Sequence, residues 1–413
     1  MTRLGELPAS TARAKAPAHY ARPLGRGVLI TGDGGGRLLL SAAEYEAFSR
    51  GAASGELSRR LEAAGFSAAP AVDRAAEALY PRSALSWRGP ARVVLLLERG
   101  GQFMDLDRVE AAVDFAFTCG PDAPALDLVA EDAGKAWPAV WLAVQRALRR
   151  GEWSRRPARI EVRARRLPPG DAAVELSRLG VGTRLVFDLD GAPPGPEARA
   201  DAALAIVKGA ARAPERWVDW LREAGFGSYR LLLPETADLK AARAFAAFHA
   251  AAVERLVDGA DRSDLLDDGL TDLLRGRPLA LPGLDLLGEI AVDTEGSLAT
   301  SERALRLGRK GQEAFSLGDI YASRFEELPL MAAARAALAA ADADRQPLCC
   351  QCAYRPYCRT APSQHFARSG SAWGRLPESP ECAARAAFLD RIFALQNSEK
   401  FNILLRKSNI DRV

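Results

Sequence analysis

Histidine is scarce in this chain: only His19, His249 and His365 occur in 413 residues, and they lie far apart. That leaves little for a histidine-based metal centre or a Ser-His-Asp hydrolase. No apolar run reaches the roughly 18 residues that a membrane-spanning helix requires. The stretch Met1 to Arg22 alternates Ala, Arg, Pro and Lys without the apolar core of a signal peptide, so the expectation is a cytoplasmic protein. A charge excess is also missing. Lys and Arg total 56 against 53 for Asp and Glu, a formal net charge of +3, which argues for neither a nucleic acid nor a membrane as partner. The length exceeds the usual single core, so two or three packed units are expected.

Cysteine is absent before Cys119, and the other five residues of this type gather at Cys349, Cys350, Cys352, Cys358 and Cys382. In a large cytoplasmic chain such clustering favours metal over disulfides. The spacing Cys349-x2-Cys352-x5-Cys358-x23-Cys382 lets a tight turn bring two thiolates to one centre, and the later cysteines close a four-thiolate shell suited to an iron–sulfur cluster or to zinc. The plainer alternative is a set of structural thiols, although these do not usually gather at ligand spacing beside Pro356, Pro362 and Pro377. Cys350 is either a spare thiol or a substitute ligand, and Cys119 reads as ordinary packing. His365 is either a replacement ligand or a contact beside the site.

Along the chain, residues 1–22 read as a flexible arm and 23–88 as a hairpin-plus-helix module. Gly27-Val28-Leu29-Ile30 and Arg37-Leu38-Leu39-Leu40 flank a turn, Gly32-Asp33-Gly34-Gly35-Gly36, and Ser41 with Glu44 has capping-box spacing. A sheet edge in such a module suits an extended peptide, although an edge is also only an edge. Residues 89–275 repeat a strand-then-helix rhythm. The continuous apolar run Arg92 to Leu97 suggests a strand covered on both faces, and further strands are expected at 126–129, 159–162, 184–189 and 229–233. Helices are expected from Leu106 to Ala116 and at 137–148, 172–179, 198–210, 215–223 and 239–256. This alternation implies a parallel sheet with crossover helices, as an open or partial barrel. Ligands in such sheets sit at the C-terminal strand ends. Glu131 and Asp132, at one such end, are either a catalytic pair or solvated loop residues. From residue 276 to 395 a hairpin around Thr294-Glu295 and a helix at 325–340 lead into the cysteine segment. Residues 396–413 form a tail.

The residues Ser316-Leu317-Gly318-Asp319-Ile320, the run Cys349-Cys350-Gln351-Cys352-Ala353-Tyr354-Arg355-Pro356-Tyr357-Cys358, and then Phe366, Gly370, Gly374, Pro377, Ser379 and Cys382 resemble the SPASM region of radical-SAM peptide maturases, above all the HxsB-type maturases of the His-Xaa-Ser peptide system. The resemblance implies an α/β fold: a partial (β/α) barrel of radical-SAM type over 89–275, with the small N-terminal module and a SPASM-like iron–sulfur domain over 276–395. Two departures matter. In the family, the loop after the first barrel strand carries Cys-x3-Cys-x2-Cys for the cluster that cleaves SAM; here that loop is Glu98-Arg99-Gly100-Gly101-Gln102-Phe103. The family's Gly-Gly-Glu-Pro aligns with about Glu131-Asp132-Ala133-Gly134 and is also missing. Asp188-Leu189-Asp190-Gly191-Ala192-Pro193 keeps the look of a later family loop. Reductive SAM cleavage needs the missing cluster, so SAM is not an expected cofactor. A further family cysteine after the one matching Cys358 is replaced by Arg359-Thr360-Ala361-Pro362, which leaves one [4Fe–4S] cluster on Cys349, Cys352, Cys358 and Cys382, with zinc as the alternative.

The expectation is therefore a catalytically degenerate homologue, with no catalytic residue assigned, that serves as a recognition subunit for a precursor peptide or docks on an active radical SAM maturase. Two competing readings are an enzyme of another kind, using Glu98, Glu131, Asp132, Asp188 and Asp190, and an electron-transfer protein.

Overall fold

The computed structural model describes residues 19–25, 27–32, 36–66, 90, 92–120, 124–168, 170–188, 204–208, 214–233, 237–258, 266–267, 270, 289–341, 346, 348–358, 361–374, 376–395 and 399. The chain divides into two compact units, 1–83 with 351–356, and 84–350 with 357–413.

In the smaller unit, β1 (Tyr20–Leu24), β2 (Gly27–Thr31) and β3 (Arg37–Ser41) form an antiparallel sheet in that order. Gly25, at a φ of 57° that side chains resist, turns β1 into β2. Pro23, which has no N–H to give, sits on the edge strand β1, where none is required. The β2–β3 hairpin is present as expected; its turn residues 33–35 lie outside the described residues. β1 starts at Tyr20, inside the stretch 1–22 expected as a free arm. The helix Ala42–Ser49 opens on the anticipated capping box, in which Glu44 N–H donates to Ser41 Oγ at 3.2 Å and Ser41 N–H to Glu44 Oε2 at 2.7 Å. A second helix, Gly55–Ala63, ends before Gly65 at φ 82°. Ile30, Leu40, Phe48, Leu61 and Phe66 close the core between sheet and helices.

The larger unit is built on β4 (Arg92–Leu96), β7 (Ala125–Asp132), β8 (Arg159–Arg166), β9 (Gly182–Asp188), β10 (Leu204–Lys208), β11 (Ser228–Leu232), β12 (Leu266–Asp267), β13 (Glu289–Val292), β14 (Ser297–Ala299) and β15 (Ser316–Asp319). They form a ten-stranded sheet of order β12-β11-β10-β9-β8-β7-β4-β13-β14-β15. Every pairing from β12 to β13 is parallel, and β13, β14 and β15 continue it antiparallel. Between β4 and β7, a short ribbon pairs β5 (Glu98–Arg99) with β6 (Gln102–Phe103). This is the expected α/β architecture, with crossover helices at Leu106–Thr118, Trp137–Ser154, Gly170–Arg178, Pro214–Glu223 and Leu239–Asp258.

The segment 204–208 is a strand, not part of the helix expected over 198–210. Leu204-Ala205-Ile206-Val207 is a short apolar run whose period does not distinguish the two states, and parallel partners on both sides, β9 and β11, decide it as a strand. The helix expected over 325–340 is divided: Phe325–Leu330 is a 3₁₀ turn containing Pro329, and the α-helix proper is Ala332–Ala341.

Strand alternation gives the sheet two unlike faces. Val93, Leu95, Leu126, Leu128, Ile160 and Val162 turn to the helices and pack with Val109, Val113, Val140 and Val144 in one core. The opposite face receives Asp127, Glu161 and Arg163. A Cβ at Gly36 would stand 2.0 Å from the Ala64 carbonyl oxygen, whereas one at Gly32 would only touch the Phe66 ring at 3.4 Å. Gly36→Ala should therefore destabilise the protein by about 1–3 kcal/mol and Gly32→Ala should be nearly neutral. Denaturant unfolding of the two variants checks this contrast.

Candidate functional site

The C-terminal end of β4 is where the sequence suggested chemistry had been lost. Gly100 and Gly101, at φ of 57° and 80°, turn the chain sharply from β5 into β6. Glu98 is buried, and its Oε2 accepts the Asp132 N–H at 2.9 Å. Asp132 closes β7; its Oδ1 accepts from the N–H groups of Gly134 and Lys135 at 3.0 and 3.1 Å, and its Oδ2 lies 3.7 Å from Arg166. Both carboxylates thus hold the backbone of the turn that joins β7 to the next helix. Glu131 is exposed at the same strand end. Residues 189–193, with Asp190, lie outside the described residues.

Sequence reasoning missed a second polar assembly on the sheet face away from the helices. Arg163 reaches Asp127 at 3.4 Å and pairs with Glu302, which also pairs with Arg306. Arg92 stands 3.5 Å from Glu289 and 3.7 Å from Asp127, and Glu289 Oε1 accepts the Glu302 N–H at 2.9 Å. Burial works against the Glu302 charge, yet Arg163 and Arg306 overcome it and hold the carboxyl down at about 2. For Glu289 burial prevails over Arg92 and raises the pKa. Burial also disfavours the Arg163 charge, and Asp127, Glu302 and Glu289 more than offset it. Asp127 Oδ1 and Arg163 Nε remain buried without a hydrogen-bond partner. The signal was present in β8, where Arg159, Glu161, Arg163 and Arg165 alternate with apolar residues: a strand apolar on both faces does not look like this.

The cysteine segment occupies short, tightly turned elements. Cys349 and Cys350 lie in a 3₁₀ turn, Cys349–Gln351, entered through Leu348 at φ 65°. Cys352 is followed by a turn in which Arg355 N–H donates to the Cys352 carbonyl at 3.0 Å, and the Tyr354 N–H points at Cys352 Sγ at 3.4 Å. Arg385 Nη1 donates to Cys358 Sγ at 3.4 Å. Cys382 sits in the first turn of the helix Pro380–Leu395, with its N–H on Ser379 Oγ at 3.1 Å. None of the six cysteines is in a disulfide, and all but Cys119 are partly exposed. Among the described residues, no three Cys, His, Asp or Glu side chains are grouped so as to hold a metal ion. The donor chemistry nevertheless fits a thiophilic centre. Cys352 has an N–H at its sulfur, Cys358 has a guanidinium, and Cys382 stands in the first turn of a helix.

Cys119 and His365 are set apart by their surroundings. Burial pushes the Cys119 thiol up to about 12, and its Sγ contacts the Phe115 carbonyl at 3.5 Å, so it packs as a neutral side chain. His365, on the helix Pro362–Ser369, is buried; desolvation lowers its pKa to about 4 against the pull of Glu381, and its Nε2 has no hydrogen-bond partner. Glu381, next to Cys382, is instead tied to Gln364 and Arg368.

No family model matches the sequence, and no curated protein matches it. Solved structures do match the fold. Native anSMEcpe with bound AdoMet superposes with a TM-score of 0.59 over 78% of this chain and 100% of that chain, at 11% identity. The same values hold for anSMEcpe with AdoMet and the Cp18Cys peptide, and its complex with the Kp18Cys peptide gives a TM-score of 0.55 at 10% identity. The chain thus shares the α/β fold of these AdoMet-bound structures. No described helix is long and apolar enough to cross a membrane.

Arg163→Met should leave Asp127 with Arg92 alone and Glu302 with Arg306 alone, and cost about 3–5 kcal/mol, measurable by urea unfolding. Because the folded pKa of Glu302 lies below its ordinary value of 4.5, its contribution is present above that value and is lost as pH falls toward 2. The gap in unfolding midpoint between wild type and Glu302→Gln should therefore be widest near neutrality and shrink steadily between pH 4.5 and 2.

Proposed function

We propose that the protein is a degenerate radical-SAM/SPASM homologue that binds one auxiliary [4Fe–4S] cluster and works as a recognition or partner subunit in the maturation of a ribosomal peptide. The observation that carries this reading is the contrast at the end of β4. The sheet of a SAM-cleaving enzyme is retained, while the strand end that carries the cluster cysteines in the resembling family holds Glu98, bonded to the Asp132 backbone. A buried carboxylate engaged in this way is a structural replacement rather than a ligand set. The cluster is assigned to Cys349, Cys352, Cys358 and Cys382, whose spacing and sulfur environments suit thiolate coordination. Four thiolates leave no open coordination position for substrate, which suits a structural or relay centre.

A peptide as the partner is supported by the resemblance to peptide maturases and by the solved neighbour, which carries a peptide together with AdoMet. The retained scaffold would present the precursor, or hold it for an active radical SAM maturase, without cleaving SAM itself.

The test is anaerobic purification with iron, sulfide and zinc quantitation, paired with a SAM-cleavage assay under strong reductant. About four irons and four sulfides per chain, without 5′-deoxyadenosine, is the expected result. Cys352→Ser should lower the iron content sharply while the protein stays folded by circular dichroism. One zinc without iron would replace the cluster by a structural ion, and 5′-deoxyadenosine above the protein-free control would refute the degenerate reading.

A further inference from the structure

The balanced total charge conceals one uneven stretch. From Arg146 to Arg166 there are nine arginines and two glutamates; removing them from the totals of 56 and 53 leaves 47 cationic against 51 acidic residues elsewhere. Several of these arginines are engaged within the larger unit. Arg146 and Arg150 pair with Asp114, Arg156 donates to the carbonyls of Phe117 and Gly120, and Arg163 belongs to the network on the sheet. Arg149, Arg155 and Arg159 are different: they are exposed and have no acidic partner among the described residues. All three lie about the turn from the helix Trp137–Ser154 into β8. Trp153, in the last turn of that helix, is 79% exposed, more than any other large apolar side chain described.

The turn is fastened at several points. The Arg156 N–H donates to the Gly151 carbonyl at 2.9 Å, and its guanidinium ties the turn to the end of the helix Leu106–Thr118. Arg150, held by Asp114 at 3.0 Å, lies over the Trp153 ring at 5.2 Å from its centroid. Arg155 has a φ of 54°, the left-handed conformation for which glycine is the low-cost residue. No ion pair among the described residues offsets that strain.

We propose that Trp153 with Arg149, Arg155 and Arg159 forms a docking surface for an acidic segment of a partner protein. Three cations without acidic partners around an exposed indole are complementary to carboxylates that flank an apolar side chain, and Trp and Arg are the residues that dominate protein interfaces. Glu152, exposed among them, repels a uniform polyanion such as a nucleic acid and suits a segment of mixed charge. Because the turn is already fastened, little ordering is lost on binding. It lies at the N-terminal end of β8, opposite the strand ends where Glu98 and Asp132 stand, so a docked partner leaves that end of the sheet uncovered. The surface involves none of the cysteines, and the proposal stands whether or not they hold metal.

Fluorescence anisotropy on the full chain tests the surface, with a dye-labelled synthetic peptide that alternates Glu and Leu around one central Lys. Parallel titrations use a single-stranded oligonucleotide and phosphatidylglycerol vesicles. The peptide is expected to bind, and its affinity to fall about fivefold between about 50 and 200 mM salt. Trp153→Ala should weaken binding about tenfold, and Arg155→Glu combined with Arg159→Glu by about tenfold or more. Arg309→Glu, an exposed arginine on another helix, should leave it unchanged. Arg155→Gly separates docking from folding: it relieves the left-handed backbone, so the unfolding midpoint should rise while peptide binding weakens. Absence of salt-sensitive peptide binding, or binding that the Trp153 and Arg155 variants leave unchanged, would overturn the proposal. Tighter binding of the oligonucleotide or the vesicles, lost in the same variants, would overturn the choice of a protein as partner.

Discussion

Everything in the larger unit is arranged around the burial of β4. Val93 to Leu97 are almost completely excluded from solvent, and the strand is held in parallel by β7 on one side and β13 on the other. A strand so placed has no freedom to move its end, and what stands there is fixed in position by the core. In this protein that place is taken by Glu98, whose carboxylate fastens the turn after β7. Installing a metal site at the strand end would require both a new set of donors and a new partner for the Asp132 N–H.

The same sheet explains why the charged assembly of Arg92, Asp127, Arg163, Glu289 and Glu302 is tolerated. Removing charges from water is costly, and each of these has at least one opposite charge within 4 Å. The network stitches β4, β7, β8 and β13 to the short helix Glu302–Leu305 on the face that the crossover helices leave uncovered. Such pairing specifies register more than it adds stability, because a one-residue slip of its strand would turn Arg92, Asp127, Arg163 or Glu289 to the other face of the sheet.

Much of this was legible in the sequence because it is local. The Ser41 and Glu44 capping box, the Arg92–Leu97 strand, the alternation of strands and helices and the cysteine spacing each depend on residues a few positions apart. Where several partners compete, local signals fail. The run Leu204–Val207 reads equally as helix or strand until β9 and β11 flank it, and Pro329 divides a stretch whose alanine-rich composition favours one continuous helix. The contact of Thr31 with Ala353 was invisible for the opposite reason: neither residue has a sequence pattern that marks a partner more than 300 positions away. The candidate metal ligands were found by spacing alone. Their hydrogen-bonding environment, and the bonds of Glu98 and Asp132 to the turn after β7, required coordinates.

The central proposal is that the fold shared with the AdoMet-bound structures is kept without a cluster at the end of β4, and that the C-terminal cysteines hold one. Anomalous X-ray scattering at the iron edge, from crystals grown without oxygen, tests it most directly. The account predicts one iron cluster within bonding distance of Cys349, Cys352, Cys358 and Cys382, and no iron beside Glu98. Iron at the end of β4, or a C-terminal segment without metal, would contradict it.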